Sequence, residues 1–501
     1  RKWLQQTDTF DPLPFWLLPI GKNIIDFSKL GDGDGRNQAL FNYILKLQRE
    51  GFSTEQCRET ITLINKYVLK EAMSQKELDI ILRDEAFKKP SFYKGKELLH
   101  DKFAEFLKNE ETIIKLDHRL HIYDDGIYTD DLIKIEQAII KYISGITRHK
   151  RREVIAYLEL IAPEKNVSSV DGILLKNGIY NIKTNTFIDF TKDYICKNKI
   201  PFNYNPAAYN ESVESVFNKI SCGDGKLRLL LEEVVGYTLF RRNELGKCFI
   251  LTGETGAGKS TYLDMIVYLL GKDNISSVSL QELPQRFKTA ELYGKLANIG
   301  DDISNQYIED NSAFKKLCTG EKMNVERKGQ DPFEFNNYAK LLFSANDMPR
   351  INDISGGLTR RLVIVPFNAV FRNTDKDYDP YIKDKLRTDD AMEYLLNLGI
   401  NGLNRILQNR KFTEVESVSR ELQEYEMRNN PVIMFLDEYE PDGIMSKTVY
   451  LAYSAWCVEN GLKALSHIQF SREVCKRGYE STHSKVNGRT RRIFERRAEG
   501  W

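Results

Sequence analysis

One short stretch limits the folds open to this chain more than any other. Gly253-Glu254-Thr255-Gly256-Ala257-Gly258-Lys259-Ser260 fills the Gly-x4-Gly-Lys-Ser/Thr pattern of a nucleotide phosphate cradle. The apolar run Cys248-Phe249-Ile250-Leu251 precedes it and reads as a buried strand. Thr261 opens a run to Leu270 with Leu263, Ile266, Val267 and Leu270 at helical spacing, and Gly271 stops it. Strand, glycine loop and helix are the context the motif needs. The glycines let backbone N–H groups converge on phosphate oxygens, and the helix N-terminus adds positive potential. Residues 253–261 are therefore expected to hold ATP. Lys259 would neutralise β/γ-phosphate charge and the Ser260 hydroxyl would ligate Mg²⁺.

A chain of 501 residues is too long for one core, so three or four domains are expected. The net charge of +1 hides an uneven distribution, because Lys463 to Arg497 is clearly basic and the rest compensates. Seven cysteines form no CxxC pair, which suits reduced cytosolic thiols better than a disulfide framework. Six scattered histidines suggest no zinc site. No apolar run is long enough for a bilayer and no signal peptide opens the chain, so no membrane partner and a cytoplasmic location are expected. The chain starts at Arg1 rather than Met, as a fragment with a missing N-terminus would.

Five regions are predicted. Residues 1–90 read as helical, with a helix from Arg36 to Glu50 and another after Ser53. Residues 91–230 are mixed. Leu99–Leu107 and Leu132–Ile146 read as helices, and His121–Tyr128 as a hairpin around Asp125-Gly126. An alternating run, Leu175–Ile182, is expected to pair with Thr186–Phe190. Residues 231–375 alternate strand and helix, which implies a largely parallel α/β core. Residues 376–430 are helical, and 431–501 form a last domain after the Asn430-Pro431 joint.

Within the core, Lys295-Leu-Ala-Asn-Ile-Gly-Asp301-Asp302 reads as a strand ending in two acids. Such a pair is usually a solvated strand end. After a phosphate loop it becomes a Mg²⁺ ligand and a polariser of the attacking water, with Asp301 set on the metal, Asp302 as the base candidate, and the order open. Tyr338-Ala-Lys-Leu-Leu-Phe-Ser-Ala-Asn346 is a strand whose terminal amide suits a γ-phosphate or water contact; an Asx turn is the alternative. Arg360 and Arg361 precede a further apolar strand, where a ring ATPase can present an arginine to its neighbour's γ-phosphate.

In this order, the glycine loop, Gly-Asp-Asp-Ile, Ser-Ala-Asn and Arg-Arg-Leu-x3-Pro-Phe, the chain resembles a superfamily 3 helicase of the phage and plasmid primase-helicase family, related to the poxvirus primase-helicase. The likeness covers nearly the whole chain. Leu174–Ile182 and Ile200–Pro206 resemble the domain that precedes the ATPase, and Gly35–Phe41 the small helical domain that follows a primase. The resemblance implies a multidomain α/β protein with an AAA+ P-loop core, helical and mixed N-terminal domains and a C-terminal winged helix. It implies a homohexameric ring that hydrolyses ATP, moves 3′-to-5′ along DNA, and has a primase module upstream or in a separate chain. Lys259 and Ser260 become the phosphate-loop pair, Asp301 and Asp302 the acidic motif, Asn346 the sensor and Arg361, with Arg360, the trans-acting finger. Both acidic positions are Asp where many relatives have a Glu, so the base assignment stays open.

Two segments are expected to touch DNA. Thr319 to Phe335 reads as strand, tip, strand, with Arg327-Lys328-Gly329 at the tip, and relatives point such a hairpin at single-stranded DNA in the ring channel. Lys322, Arg286 and Lys288 are weaker candidates. After Ser446 the order is helix, helix, hairpin around Asn487-Gly488, which is a winged helix-turn-helix. Its second helix shows Arg472, Lys476 and Arg477, and its wing Lys485, Arg489, Arg491 and Arg492, a set suited to duplex DNA. The alternatives are an origin-binding initiator that melts DNA, and an AAA+ switch that does not translocate.

Overall fold

The computed structural model describes residues 26–87, 92–94, 97–303, 311–329, 331–349, 351, 357–372, 374, 379–462, 464–486 and 489–497. The Asn487-Gly488 turn and the first 25 residues of the expected helical region lie outside them. The chain divides into two compact units, Arg1–Ser169 with Phe190–Lys197, and Val170–Asp189 with Asn198–Trp501.

Among the described residues the first unit holds two larger apolar cores and a small cluster of Ile114, Leu116 and Tyr128. Helices α1 (Arg36–Arg49), α2 (Thr54–Tyr67) and α3 (Gln75–Ile81) close on Leu40, Ile44, Leu47, Ile61 and Leu78. Ser53 and Ser74 start α2 and α3 with capping boxes to Gln56 and Glu77, each satisfying two backbone N–H groups a helix start leaves open. A two-stranded ribbon, β1 (Tyr93–Lys94) and β2 (Glu97–Leu98), leads into α4 (His100–Glu110). A meander of β3 (Ile113–Leu116), β4 (Arg119–Asp124) and β5 (Ile127–Thr129) follows, then α5 (Leu132–Tyr142) and α6 (Arg148–Ile161). Phe103, Leu107, Ile122, Ile135, Ile139, Val154 and Leu158 form their shared core. The hairpin at Asp125-Gly126 is as expected, with both residues at positive φ.

The second unit opens with β6 (Gly172–Leu175), β7 (Gly178–Asn181) and β8 (Thr186–Ile188) in one antiparallel sheet. The expected single run 175–182 is thus corrected to a hairpin. Lys176 and Asn177 leave the ladder because Lys176 N–H donates to Phe202 O (2.8 Å) and the Asn177 amide brackets the Tyr204 backbone (2.8 and 3.1 Å). Ile173, Leu175, Tyr180, Ile200 and Phe202 join the same core as the parallel sheet. The expected boundary at residue 230 therefore moves, and falls inside a helix. After α7 (Glu211–Ile220), that helix, α8, runs over Gly225–Thr238.

Strand β9 (Cys248–Thr252), helix α9 (Lys259–Leu270), β10 (Ile275–Ser276), β11 (Ala297–Gly300), α10 (Ser312–Thr319), the hairpin β12 (Lys322–Val325) with β13 (Phe333–Asn336), β14 (Lys340–Ala345) and β15 (Leu362–Pro366) follow. Five of the strands build one all-parallel sheet in the order β10-β11-β14-β9-β15. Each of its three longest strands is buried throughout, as a sheet covered on both faces requires. Tyr262, Leu263, Met265, Ile266, Leu269 and Leu270 bury one side of α9 against it. Each such side chain contributes about 1.5–3 kcal/mol over an exposed one.

Helices α11 (Ile382–Leu386), α12 (Asp389–Asn409) and α13 (Glu416–Asn429) follow, with α12 in the core that holds α8 and α9 and Tyr425 of α13 in the core on the sheet's other face. The expected separate segment 376–430 is instead part of this body, because α12 lies against α8 at backbone contact. A Cβ on Gly236 would overlap the Gly399 carbonyl and the Leu403 nitrogen. Arg405 bridges Glu232 (2.9 Å) and the buried Glu233 (3.3 Å) across that crossing. At the start of β14 the buried Lys340 donates to the carbonyls of Phe240 and Tyr338 and lies 4.6 Å from the Tyr237 ring centre. Burial holds its ammonium pKa well below the usual lysine range.

The last module is α14 (Pro431–Glu438), α15 (Ser446–Glu459), α16 (His467–Lys476) and the hairpin β16 (Tyr479–Val486) with β17 (Arg489–Arg496). Its own core joins Phe435, Val449, Tyr453, Phe470, Val474 and Phe494. Ser466 and Gln469 cap α16 as a box. Among the described residues no helix is long and apolar enough to cross a membrane, and all seven cysteines are free.

Candidate functional site

Parallel strands end together, and here four such ends matter. In register, Ala345 and Pro366 lie beside Thr252, and Gly300 beside Phe343. The residues that follow those ends therefore gather at one edge of the sheet, where ligands of open α/β sheets bind. A cleft of about 510 Å³ is lined there by the glycine loop from Thr255 to Thr261, by Asp301 and Asp302, and by Ser344 and Asn346.

The loop is shaped for close backbone approach. Gly253, Gly256 and Gly258 have φ of 142°, 84° and 93°. A Cβ on Gly253 would collide with the Phe367 carbonyl, so no other residue fits without moving β15's end. Lys259 is buried, and its ammonium donates to Gly253 O (2.5 Å), Glu254 O (3.0 Å) and Asn346 Oδ1 (2.9 Å). The first motif and the expected sensor therefore meet directly. Asp301 Oδ1 accepts from the Ser344 hydroxyl and from Asp302 N–H (3.1 Å). Asp302 N–H also lies 3.0 Å from Ser344 Oγ, and Asp302 sits at φ 53°. Ser344 thus orients the acidic pair, a role that periodicity and motif order do not reveal. The donor set fits a nucleotide with Mg²⁺: a glycine cradle, one fixed ammonium, the Ser260 hydroxyl and two carboxylates in one cleft.

The far wall comes from residues that no sequence pattern marks. Lys219 and Phe371 face the cleft, with the ammonium 4.7 Å from the ring centre, and Lys383, also on the cleft, pairs with Asp264 at 2.6 Å. Lys219 belongs to α7, and the other two lie in the stretch after β15.

The two arginines stand elsewhere. Leu362 pairs with Cys248, so Arg360 and Arg361 sit at the amino end of β15, about 13 Å down the sheet at 3.3 Å per residue. Arg361 donates to Gly357 O and is half-buried, with its Nε unpaired; Arg360 is exposed, and its carbonyl accepts from Lys247 at 2.6 Å. Neither lines the cleft of its own chain.

The hairpin β12–β13 forms as expected. Arg327 lies half-buried over Tyr293 (5.6 Å) and Phe333 (5.4 Å), while Lys328 and Gly329 are exposed at the tip. Carboxylates hold the three weaker candidates: Glu326 binds Arg286, Glu282 binds Lys288 and Glu334 binds Lys322.

In the last module a second cleft, about 1330 Å³, gathers Lys447, Arg472, Lys476, Arg491, Arg492 and Arg497. Four of these were expected; Lys447 and Arg497 join only through the fold. Glu473 partly neutralises Lys476 at 2.6 Å. Arg477 and Lys485 are exposed but do not line this cleft, and the Arg489 side chain lies outside the described residues.

Fold and site together define a multidomain mixed α/β protein with a phosphate-type cradle on a parallel sheet. Residues 100–222 match the family described as D5 N terminal like, 427–498 that described as Poxvirus D5 protein-like, and 251–361 a family of unknown function (DUF5906). A Sputnik virophage protein named "Putative helicase V13" is 24% identical over 310 residues. That match takes in 57% of this chain and 38% of the virophage protein, so the chain spans well under half of that relative's length. Two apo structures of the NrS-1 C-terminal region are similar at 13% and 14% identity. They cover 77% and 75% of this chain and 95% and 94% of theirs, with TM-scores of 0.46 and 0.42. Segments before and after the glycine loop in sequence thus match D5-type families, and together with the virophage match they support a likeness to phage and viral primase-helicases.

Proposed function

We propose that this chain is the motor of an ATP-dependent DNA helicase that serves replication of a phage or other mobile element. One observation carries the reading: Lys259, Ser260, Asp301, Asp302 and Asn346, from three separate strand ends, share one cleft. Sensor strand β14 between the strands of the glycine loop and the acidic pair supports an AAA+ core.

Bound Mg·ATP supplies the hydrolysable γ-phosphate. The glycine loop cradles the phosphate chain with backbone N–H groups, and Lys259 balances its charge. Ser260 and Asp301 are the metal-side oxygens, with Asp301 oriented by Ser344. Asp302 is the base candidate for the attacking water, and Asn346 senses the γ-phosphate because it already bonds Lys259. Arg361, remote from its own cleft, fits a finger for the next subunit, with Arg360 beside it. That geometry favours a ring, a homohexamer by family resemblance, with a primase module in cis or in trans. Lys328 and Arg327 on the hairpin would grip a single strand in the channel without reading its sequence. The last module would act as a winged helix, with α16 and the wing on duplex DNA. Its basic cleft also supports a second reading, an origin-binding initiator.

The test is ATP-dependent displacement of a labelled strand from a forked DNA, with Lys259→Ala as control. The motor reading expects displacement by the native chain and a loss of about 100-fold or more in the variant, the scale for removing one fixed charge from a transition state. Site-specific footprinting with hydrolysis but no displacement would transfer the function to the initiator.

A further inference from the structure

Helix α6 begins with five basic side chains in a row, Arg148-His149-Lys150-Arg151-Arg152. Helices favour acids in the first turn, where the backbone dipole is positive, and α6 has none there. Arg148 and Arg152, four residues apart, also repel along one face. Folding alone therefore gains nothing from placing Arg148 and Arg152 there. Two of the five are in structural use. Arg151 pairs with Glu136 (3.3 Å) and donates to Ile146 O (3.0 Å), and Lys150 lies 5.2 Å from the Tyr93 ring centre. The others line an open groove of about 540 Å³ formed by Arg148, His149, Arg152, Glu153 and Ala156. Tyr157, one turn past Glu153, is exposed on the same side. The single carboxylate, Glu153, is shared by His100 (2.7 Å) and His149 (3.4 Å).

We propose that this face of α6 is a second, sequence-independent contact for the backbone of single-stranded DNA. Cations one helical turn apart suit a phosphate track, the exposed tyrosines offer stacking surfaces, and the helix N-terminus adds to the anion's attraction. The assignment rests on the reading of the chain as a DNA-handling protein, and not on its being a motor.

Binding of a labelled oligothymidine to the full chain, without nucleotide and over a salt series, tests it. The double variant Arg148→Gln/Arg152→Gln is expected to bind more weakly. The slope of log affinity against log salt should fall by roughly 0.7 for each phosphate that is no longer neutralised. Its thermal midpoint should stay level or rise, since the repulsion goes too, whereas a structural role would lower it. Glu153→Gln should shift affinity the opposite way. Unchanged affinity and slope in the double variant, with the native chain binding, would overturn this contact alone and leave the face to an acidic protein surface. If the native chain bound no DNA, the functional reading and this contact would fall together.

Discussion

The glycine-loop cleft and the basic cleft of the last module both present positive charge, but they hold it differently. Lys259 is buried and tied to three oxygen acceptors within 3.0 Å. Arg472, Arg491 and Arg492 stand exposed around a cleft more than twice as large. A fixed cation in a small cleft acts through geometry, so its loss should appear in a rate. Exposed cations act through released counterions, so their loss should appear in salt dependence.

The largest effect that would sharpen this contrast belongs to Arg361, whose removal as Arg361→Ala should slow ATP hydrolysis by about 10³-fold if it completes a neighbour's site. Mixing that variant with Lys259→Ala should restore part of the rate, because mixed rings contain some intact interfaces. A mixture as inactive as its parts would assign Arg361 to local structure. Next comes Gly253→Ala. Strain at φ 142° and the clash with Phe367 should cost about 1–3 kcal/mol of unfolding free energy by denaturant titration, with nucleotide affinity lost as well. An unaltered midpoint would mean that the loop relaxes and that its geometry is less fixed than the contrast requires. The smallest effect lies in the open cleft. Arg472→Gln and Arg492→Gln should each lower the salt slope for duplex DNA by about 0.9, leaving ATP turnover without DNA unchanged. A change in turnover with no change in slope would invert the comparison.

Legibility in the sequence follows the same divide between local and non-local signals. The glycine loop, the strand ending in Asp301 and the Asn346 strand are legible because each is a short pattern with a local cause. The same holds for Ser53 and Ser466, where capping chemistry is written within four residues. Ser344 is not legible as the group that orients Asp301, since nothing within its own strand names a partner 43 residues away. Gly236, Gly399 and Gly402 look like helix weaknesses until α8 and α12 meet through them. The hairpin of β6 and β7 is hidden for a related reason: Lys176 and Asn177 continue the alternation in sequence but find their partners near Phe202 and Tyr204. The basic start of α6 is masked because the chain's charge is balanced overall and the C-terminal stretch is the denser one.

The root of the β12–β13 hairpin has a mechanical meaning. Only three residues, Asn337 to Ala339, separate β13 from β14, the strand that carries Asn346. The Asn337 amide donates to Leu317 O (2.8 Å) and Ala339 O (3.0 Å), and Asn243 donates to three carbonyls around the same point. Such a root behaves as a pivot with little play. With arms of about 13 Å at 3.3 Å per residue, a tilt of roughly 10° there swings the tip by about 2 Å. Small angular changes at the sheet thus become whole atomic displacements at Lys328: the arm length sets the gear ratio of the hairpin, and the hydrogen bonds of two asparagines hold its axle.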